Sequence, residues 1–582
     1  MNSELKDQTS ENRLQKLFEQ RKAILNLPPQ AALDRILSFP QPAALVHSFP
    51  EEDLHMLIQD IGLDDCLPIL SLASARQWQY ILDVEGWRKD HPDLKGMSEW
   101  MQRFLAANPD GFIRWFLTDA TQMVEWYLNQ SISVRIREHD EDFSDLGDDF
   151  FTRDDVFYIR IHHDDAAADL SGPLRREFVE SFLDHLAAYD HEVYQKVLFE
   201  ATAVIPAETE EENYRLRNVR LAEKGLLPYE EAVGVYQPLK VEAFFAQRPK
   251  YLSKTPDPEA LWLAPMVHGQ EISTDSLFGR ALARVSSNAL CHLQAEFAGL
   301  CNQVIVADRI KISGRNELSQ VVKKVSGYLG IGLERLTIET CGADVARSAA
   351  IIERFALSAV FRVGFGLALK LKWRAEYWRN ESWMHRSGLG LTFWDEKWLG
   401  VLGGLFLPKP QFFDGFSSGQ LYREFSTLAD LNQTEAVLTQ VIEIDALLDK
   451  MPIEADSLGR FEFLTYKNLL LTLWARHCLG LKPGLEPLPI EVFKPFFSGL
   501  WQGKTPPYQI RPVGKSSFLD WLSQYANLSE SQLTDRIGGV VDALFQEMET
   551  EYGHVSPEAL DPRYAALFLF KTGKRFKRPI KR

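Results

Sequence analysis

The sequence predicts a mainly α-helical, multi-domain protein with an N-terminal superhelical array of short helices and one small β-hairpin that carries an acidic loop. The 142 residues from Met266 to Leu407 contain no proline. Because proline breaks helix interiors, such a block is typical of long packed helices. Short apolar units recur near the N-terminus, and apolar and polar residues alternate clearly at only one place, which indicates the hairpin.

Composition and charge limit the classes of protein that fit this sequence. The 582 residues are 45% hydrophobic and 25% charged, which allows several buried cores and excludes a mostly disordered or collagen-like chain. The net charge of −17 argues against a protein that coats nucleic acid. The proline-free block holds 17 Lys or Arg and 13 Asp or Glu, however, so an anionic ligand is not excluded there.

Three similar units follow one another at twelve-residue spacing in the N-terminal part. Each has a starter residue, a polar first turn and apolar residues on one helical face, as at the start of a helix. The starters are Pro50, Gly62 and Ser74. Pro68 fits a first turn if Asp64 or Asp65 caps its helix. Single short helices bury their apolar faces only by stacking, so we expect a curved array that offers a protein-binding surface.

Alternation over Ile132–Arg137 and Val156–His162 predicts the two strands of the hairpin. The connection between them is rich in Asp and Glu, the ligands that Ca²⁺ prefers. A calcium-loop register starting at Asp140 fails, because Asp145 stands where glycine is needed and Phe151 where a glutamate is needed. We therefore expect a solvated acidic loop, and whether it binds a divalent cation stays open.

Longer helices are expected elsewhere, and the cluster Gly327–Gly332 is interpreted as a helix C-cap. The predicted helices are Gly172–Val204, Ala207–Lys224, Ser276–Leu300, Glu317–Leu329 and Ala343–Arg379. The predicted parts of the chain are a polar N-terminal segment (1–24), the short-helix array (25–130), the β-hairpin with its acidic loop (131–165), a helical segment (166–265), the proline-free helical domain (266–407), a C-terminal helical domain (408–570) and a basic tail (571–582).

The same patterns predict a cytoplasmic protein. No two of the five cysteines are closer than ten residues, which favours reduced thiols over disulfides or a zinc site. The start of the chain lacks the apolar core of a signal peptide, and the apolar runs are too short or too charged to span a membrane. We expect no metal and no cofactor. Gly503-Lys504-Thr505 is not a P-loop, because Ser498 stands where its first glycine is needed.

Five of the fourteen tryptophans lie within 26 residues, from Trp373 to Trp398, and several arginines lie beside them. Arginine next to tryptophan suits an anionic or stacked ligand, through forked donors and cation–π contact. The same residues also suit a large helical core, in which arginine stems cover the rings. The candidate ligand-binding residues are Arg374, Trp378, Arg379, His385, Arg386 and Asp395.

The last twelve residues form a basic tail without an acidic residue. Such a tail indicates contact with nucleic acid or with a membrane surface. The candidate contact residues are Lys571, Lys574, Arg575, Lys577, Arg578, Lys581 and Arg582. Apart from this tail, we expect no nucleic-acid binding.

Three stretches resemble the uncharacterised bacterial domain-of-unknown-function family 6178. They are Pro206–Gly225 with Pro228, Phe361–Arg374 and Asp148–Thr152. The resemblance covers nearly the whole chain and implies no activity. Separately, the Phe49-Pro50-Glu-Glu-Asp-Leu54 units resemble the cytosolic superhelical domain of MgtE-type magnesium transporters. This resemblance covers Leu25–Leu105, and transport is not implied, because the membrane helices of those transporters have no counterpart here.

Three hypotheses about function follow from these patterns. The first is a scaffold or protein-interaction protein whose partner is another protein, and no catalytic residue is assigned. The second is an enzyme or a regulator that binds a small anionic ligand at residues 373–398. The third is contact of the basic tail with nucleic acid or a membrane surface.

Overall fold

The architecture is taken from a computed structural model of the chain. It describes residues 15–137, 149–162, 171–224, 226–250, 276–312, 314–337, 344–454, 458, 461, 463–503 and 506–571. The contacts divide the chain into two compact units, Met1–Arg362 and Val363–Arg582. The acidic loop at 138–148 and most of the basic tail lie outside the described residues.

The described part of the first unit is built from helices and two small sheets. Its helices are α1 (15–25), α2 (Pro29–Leu37), α3 (Pro42–His47), α4 (Glu51–Ile61), α5 (Leu67–Leu70), α6 (Ala75–Glu85), α7 (Leu94–Ala107), α8 (Pro109–Thr118), α9 (Thr121–Ser131), α10 (Ser171–Tyr189), α11 (His191–Ala203), α12 (Pro206–Glu223), α13 (Tyr229–Ala232), α14 (Val241–Phe245), α15 (Leu277–Leu282), α16 (Ser287–Asp308), α17 (Arg315–Thr337), α18 (Val345–Arg354) and the start of α19 (Leu357–Glu381), with a 3₁₀ turn at Val233–Tyr236. Its strands are β1 (Trp87–Arg88), β2 (His91–Pro92), β3 (Ile132–Ile136), β4 (Phe151–Thr152) and β5 (Phe157–Ile161).

The second unit continues from α19 and is also helical. Its further helices are α20 (Trp383–Arg386), α21 (Glu396–Phe406), α22 (Leu428–Leu448), α23 (Tyr466–Cys478), α24 (Ile490–Leu500), α25 (Pro512–Ala526) and α26 (Glu530–Tyr552), with a 3₁₀ turn at Leu391–Phe393. Its strands form two antiparallel pairs, β6 (Phe412–Phe413) with β7 (Tyr422–Arg423) and β8 (Trp501–Gln502) with β9 (Gln509–Ile510). The prediction of a mainly α-helical protein is confirmed.

The three twelve-residue repeats near the N-terminus form helices, but not all of these helices begin where the sequence indicated. Ser74 caps α6 as expected, and its side chain and that of Gln77 form a reciprocal capping box. Gly62 instead ends α4, with a φ of 101° that favours glycine. The N-cap of α5 is Cys66 rather than Asp64 or Asp65. Because of the turn between α4 and α5, the middle repeat contains only the four helical residues of α5.

The predicted hairpin is present, and a third strand extends it. β3 and β5 pair antiparallel, with Ile132 opposite Ile161, and β4 adds to the other edge of β5. One apolar cluster joins this sheet to the short helices and to α10 and α11, from Ile24 to Ala201. The array is therefore not packed by itself, since its apolar faces share a core with the sheet.

Several predicted long helices are interrupted, because polar side chains cap new helices inside them. Asp190 ends α10 and caps α11, and Ser286 caps α16. Phe355 and Ala356 separate α18 from α19. The interpretation of Gly327–Gly332 as a C-cap is wrong, because these residues lie inside α17.

Helix α12 contains most of the stretch Pro206–Gly225. Its arginines bind Asp83 of α6 through an ion pair and hydrogen bonds. The Arg220 guanidinium donates from Nε and Nη2 to the two carboxylate oxygens of Asp83, at 2.7 and 2.8 Å. Arg217 Nε donates to the Asp83 carbonyl oxygen at 2.6 Å. The Asp83 side chain is only 2% exposed, so this forked pair compensates a buried carboxylate.

Candidate functional site

The tryptophan-rich segment 373–398 contains the end of α19, the short helix α20, the 3₁₀ turn Leu391–Phe393 and the start of α21. Two side-chain caps fix the connections between these helices. Ser382 Oγ accepts a hydrogen bond from the His385 backbone N–H at 3.2 Å, and Asp395 Oδ1 accepts one from the Trp398 N–H at 2.8 Å. Each cap satisfies a backbone donor that the first turn of a helix leaves without a partner.

Four of the five tryptophans in this segment are buried in one aromatic core. Their exposed fractions lie between 2% and 7%, and they are Trp378, Trp383, Trp394 and Trp398. The Trp394 ring lies 6.0 Å from that of Trp378 and 5.5 Å from that of Trp398. Trp398 stacks on Tyr466 of α23 at 4.6 Å. These rings pack the second unit, as the core interpretation of the segment describes.

Asp445 of α22 is a buried residue of this core that the sequence did not single out. Its carboxylate accepts hydrogen bonds from Trp378 Nε1 at 3.3 Å and from the backbone N–H groups of Trp383 and Met384, each at 3.0 Å. Burial raises the pKa of this carboxyl, and the three donors oppose the rise. An aspartate among apolar residues of a helix gives no sign in the sequence of what it contacts.

The six candidate ligand-binding residues contact different groups. Trp378 faces Asp445 in the core. The ion pairs are Arg374 with Glu435 at 3.4 Å, Arg386 with Asp449 at 2.8 Å, and Asp395 with Lys467 at 3.1 Å. The Arg379 guanidinium lies 5.1 Å from the Phe406 ring, and His385 is exposed. These contacts do not direct the six side chains to a common ligand, and a ligand site made of them stays a prediction.

Two aromatic side chains of the segment are exposed instead of buried. Trp373 is 50% exposed and Tyr377 is 74% exposed. Lys370 is exposed as well, and the Arg374 side chain is 39% exposed. Residues at positions i, i+3, i+4 and i+7 share one face of a helix. We call these four residues, Lys370, Trp373, Arg374 and Tyr377, the aromatic–basic stripe.

The charge of the stripe is positive. Arg374 has Glu435 as its partner, and both side chains are partly exposed. Within the part of the chain that the structure describes, Lys370 forms no ion pair. The stripe therefore combines two large rings with two cations on a surface that water reaches.

Of the candidate tail residues, only Lys571 is described. Its backbone N–H donates to the Leu488 carbonyl oxygen at 3.0 Å, beside a bridge between Leu488 and Phe570. The other six lie outside the described residues, and their contact with nucleic acid or a membrane stays a prediction. No helix in the described ranges is long and apolar enough to cross a membrane. Within the same ranges, no group of three or more His, Cys, Asp or Glu side chains is placed to hold a metal ion.

Fold and site together define a mainly α-helical protein with an aromatic core and an exposed aromatic–basic stripe in its second unit. The chain belongs to a family of unknown function, DUF6178, which it matches over residues 8–571. This confirms the predicted family resemblance. No curated protein and no solved structure matches the chain, so the resemblance of the N-terminal part to MgtE-type transporters is not supported by these comparisons.

Proposed function

We propose that this protein is a cytoplasmic scaffold or protein-interaction protein that docks an acidic segment of another protein on its aromatic–basic stripe. The observation that carries the proposal is the exposure of Trp373 and Tyr377 on one helical face. Tryptophan, tyrosine and arginine are the residues that most often dominate the binding energy of protein interfaces. Covering a large ring contributes about 2 kcal/mol, so a partner that covers both gains affinity.

The charge of the stripe supports an acidic partner. Lys370 and Arg374 flank the rings, and complementary charge speeds association and selects the partner. The pair of Arg374 with Glu435 is partly exposed, with both side chains open to water. Exposed pairs of this kind contribute about 0–1 kcal/mol, so a carboxylate of the partner can replace Glu435 at little cost.

The N-terminal array provides a second surface in this proposal. One of its helices begins at the capping box of Ser74, and its apolar side chains share a core with the sheet, which supports a well-ordered surface. Rigid surfaces lose little conformational entropy when they bind. The cytoplasmic location is supported by the cysteines, since Cys66, Cys291, Cys301 and Cys478 are free.

A peptide selection tests the docking proposal on the intact chain. Random 15-residue peptides are displayed, depleted on the Trp373→Ala/Tyr377→Ala variant and selected on the wild-type chain. We expect enriched peptides that combine Asp and Glu with apolar residues. Their dissociation constants should rise at least about tenfold for the Lys370→Glu/Arg374→Glu variant, which corresponds to about 1.4 kcal/mol.

Arg536→Glu is the matched control for this selection. Arg536 pairs with Glu443 at 3.4 Å on the surface of the same unit, as Arg374 pairs with Glu435. Reversing its charge should leave the affinity of the selected peptides unchanged. Peptides that bind all variants equally well, or a selection without acidic enrichment, would contradict the proposal.

A further inference from the structure

A small cleft in the second unit lies apart from the stripe, between α23, the loop that follows it and α25. Its volume is about 50 Å³. At roughly 10–15 Å³ for each water-sized group, the cleft holds three to five such groups. This size fits a short organic molecule and is too small to enclose a nucleotide.

The lining of the cleft is about equally polar and apolar. Leu473, Ile453 and Leu481 supply aliphatic surface, and Trp521 and Tyr525 supply rings whose centroids lie 5.9 Å apart. Among the described residues, neither the Trp521 indole N–H nor the Tyr525 hydroxyl makes a hydrogen bond. Binding sites for small molecules combine such apolar walls with a few placed donors.

Arg476 is the charged group of the cleft, and its surroundings only partly satisfy it. It is 5% exposed. Its Nη1 donates to the Glu486 carbonyl oxygen at 3.2 Å, and its Nη2 donates to the Lys482 carbonyl oxygen at 3.0 Å and to the Glu486 carboxylate at 3.3 Å. Its Nε is buried and has no hydrogen-bond partner. A buried donor without an acceptor costs about 1–3 kcal/mol, and more when the group is charged.

The charge of Arg476 is also poorly compensated. Among the described residues, its carboxylate partner is Glu486, whose side chain is 72% exposed, so water screens that pair. His477 adds another basic group to the lining. The buried guanidinium of Arg476, with its Nε unsatisfied, favours an anion in the cleft.

We infer that this cleft binds a short monocarboxylate, whose carboxylate lies by Arg476 and whose aliphatic stem lies against the Leu473 and Ile453 wall. Guanidinium and carboxylate form strong charge-assisted hydrogen bonds. The aliphatic walls select a short stem over a purely inorganic anion. This inference is independent of the docking stripe, because the two share no residue.

Calorimetric titration of the full chain with the sodium salts of acetate, propionate, butyrate and valerate tests this inference. At least one of these should bind with a dissociation constant below about 10 mM. The matching amide, which has the same shape and no charge, should bind at least tenfold more weakly. No binding by any of the four acids, or equal binding of acid and amide, would overturn the inference.

Variants assign the binding to this cleft. Arg476→Gln should weaken the best acid at least tenfold, whereas Arg563→Gln, at an exposed arginine of the same unit, should have no effect. Arg476 also holds the loop after α23, so its variant could fail to fold. In that case the Trp521→Phe/Tyr525→Phe variant decides, because it keeps an aromatic ring at each position and removes the indole N–H and the hydroxyl: a loss of fivefold or more supports the cleft, and unchanged affinity overturns it.

Discussion

Asp53, in the first turn of α4, is a carboxylic acid with only 5% of its surface exposed. Burial raises its pKa to about 7, and the neighbouring charge of Glu52 adds to the rise, while Arg21 opposes it. In the unfolded chain an aspartate has a pKa of about 3.9. The folded state therefore holds the proton more strongly than the unfolded state does.

Since the pKa of Asp53 is raised by folding, stability falls as the pH rises from about 4 through about 7. Between pH 5 and pH 8 this residue alone should remove about 2–3 kcal/mol from the free energy of unfolding. Asp53→Asn resembles the protonated form, so it should raise the unfolding midpoint relative to wild type at pH 8. At pH 5 the two proteins should be nearly equal. Urea titrations at both pH values measure this.

Asp64→Asn is the control for this prediction, because Asp64 is exposed in the next turn of the chain. This surface substitution should change the free energy of unfolding by no more than about 0.5 kcal/mol at either pH. The prediction is contradicted if the difference in the free energy of unfolding between wild type and Asp53→Asn is the same at pH 5 and pH 8. Asp53 would then ionise as readily in the folded state as in the unfolded chain.

The burial of individual side chains could not be predicted from the sequence. The pattern of tryptophans and arginines predicted that residues 373–398 are special, but not which rings are buried. Trp378 is buried and Tyr377, beside it, is 74% exposed, because successive positions on a helix point about 100° apart. The acceptor that orders the buried side, Asp445, lies more than sixty residues away. Only the packing of α22 on the segment reveals it.

One glycine sets how closely two helices of the first unit approach. A Cβ atom at Gly332 in α17 would lie 2.3 Å from the Val360 backbone oxygen and 3.0 Å from its Cγ1. A backbone oxygen in a helix cannot rotate away. Within the glycine cluster that was interpreted as a C-cap, Gly332 therefore allows α17 and α19 to pack closely.

Gly332→Ala should consequently lower the free energy of unfolding by about 2 kcal/mol or more, through overpacking. Gly299→Ala is the matched control, since Gly299 lies inside α16 and the space that an alanine methyl group would take there is open. There alanine should raise stability by about 0.5–1 kcal/mol, because it favours the helix. Urea denaturation followed by circular dichroism measures both, and effects of the same sign would refute the close contact.

The sequence predicted where helices lie, but not the positions at which they are interrupted. Proline scarcity and apolar periodicity predicted helices where α12, α17 and α19 lie, and alternation predicted β3 and β5. The breaks at Asp190 and Ser286 come from capping side chains, which compete with helix continuation by a small free energy. Strand β4 has two residues, too few for alternation to show.

At the scale of the whole molecule, the net charge of −17 coexists with local surfaces of the opposite sign. The aromatic–basic stripe is one of them and the cleft by Arg476 is another. The sequence indicated that the central block is less acidic than the rest. The cleft was not predictable, because Arg476, Trp521 and Tyr525 are brought together by the packing of α23 and α25 and are far apart along the chain.

Site-specific photo-crosslinking in the native cells tests the claim that the aromatic–basic stripe docks an acidic protein segment. A benzophenone amino acid replaces Tyr377, and in a control it replaces Tyr564, which is 78% exposed. We expect a discrete cross-link to another protein at position 377 only. Its attachment point should lie in an acidic segment, and Lys370→Glu/Arg374→Glu should abolish it. The same products at both positions, no product at 377, or a cross-link to a second copy of this chain would contradict the claim.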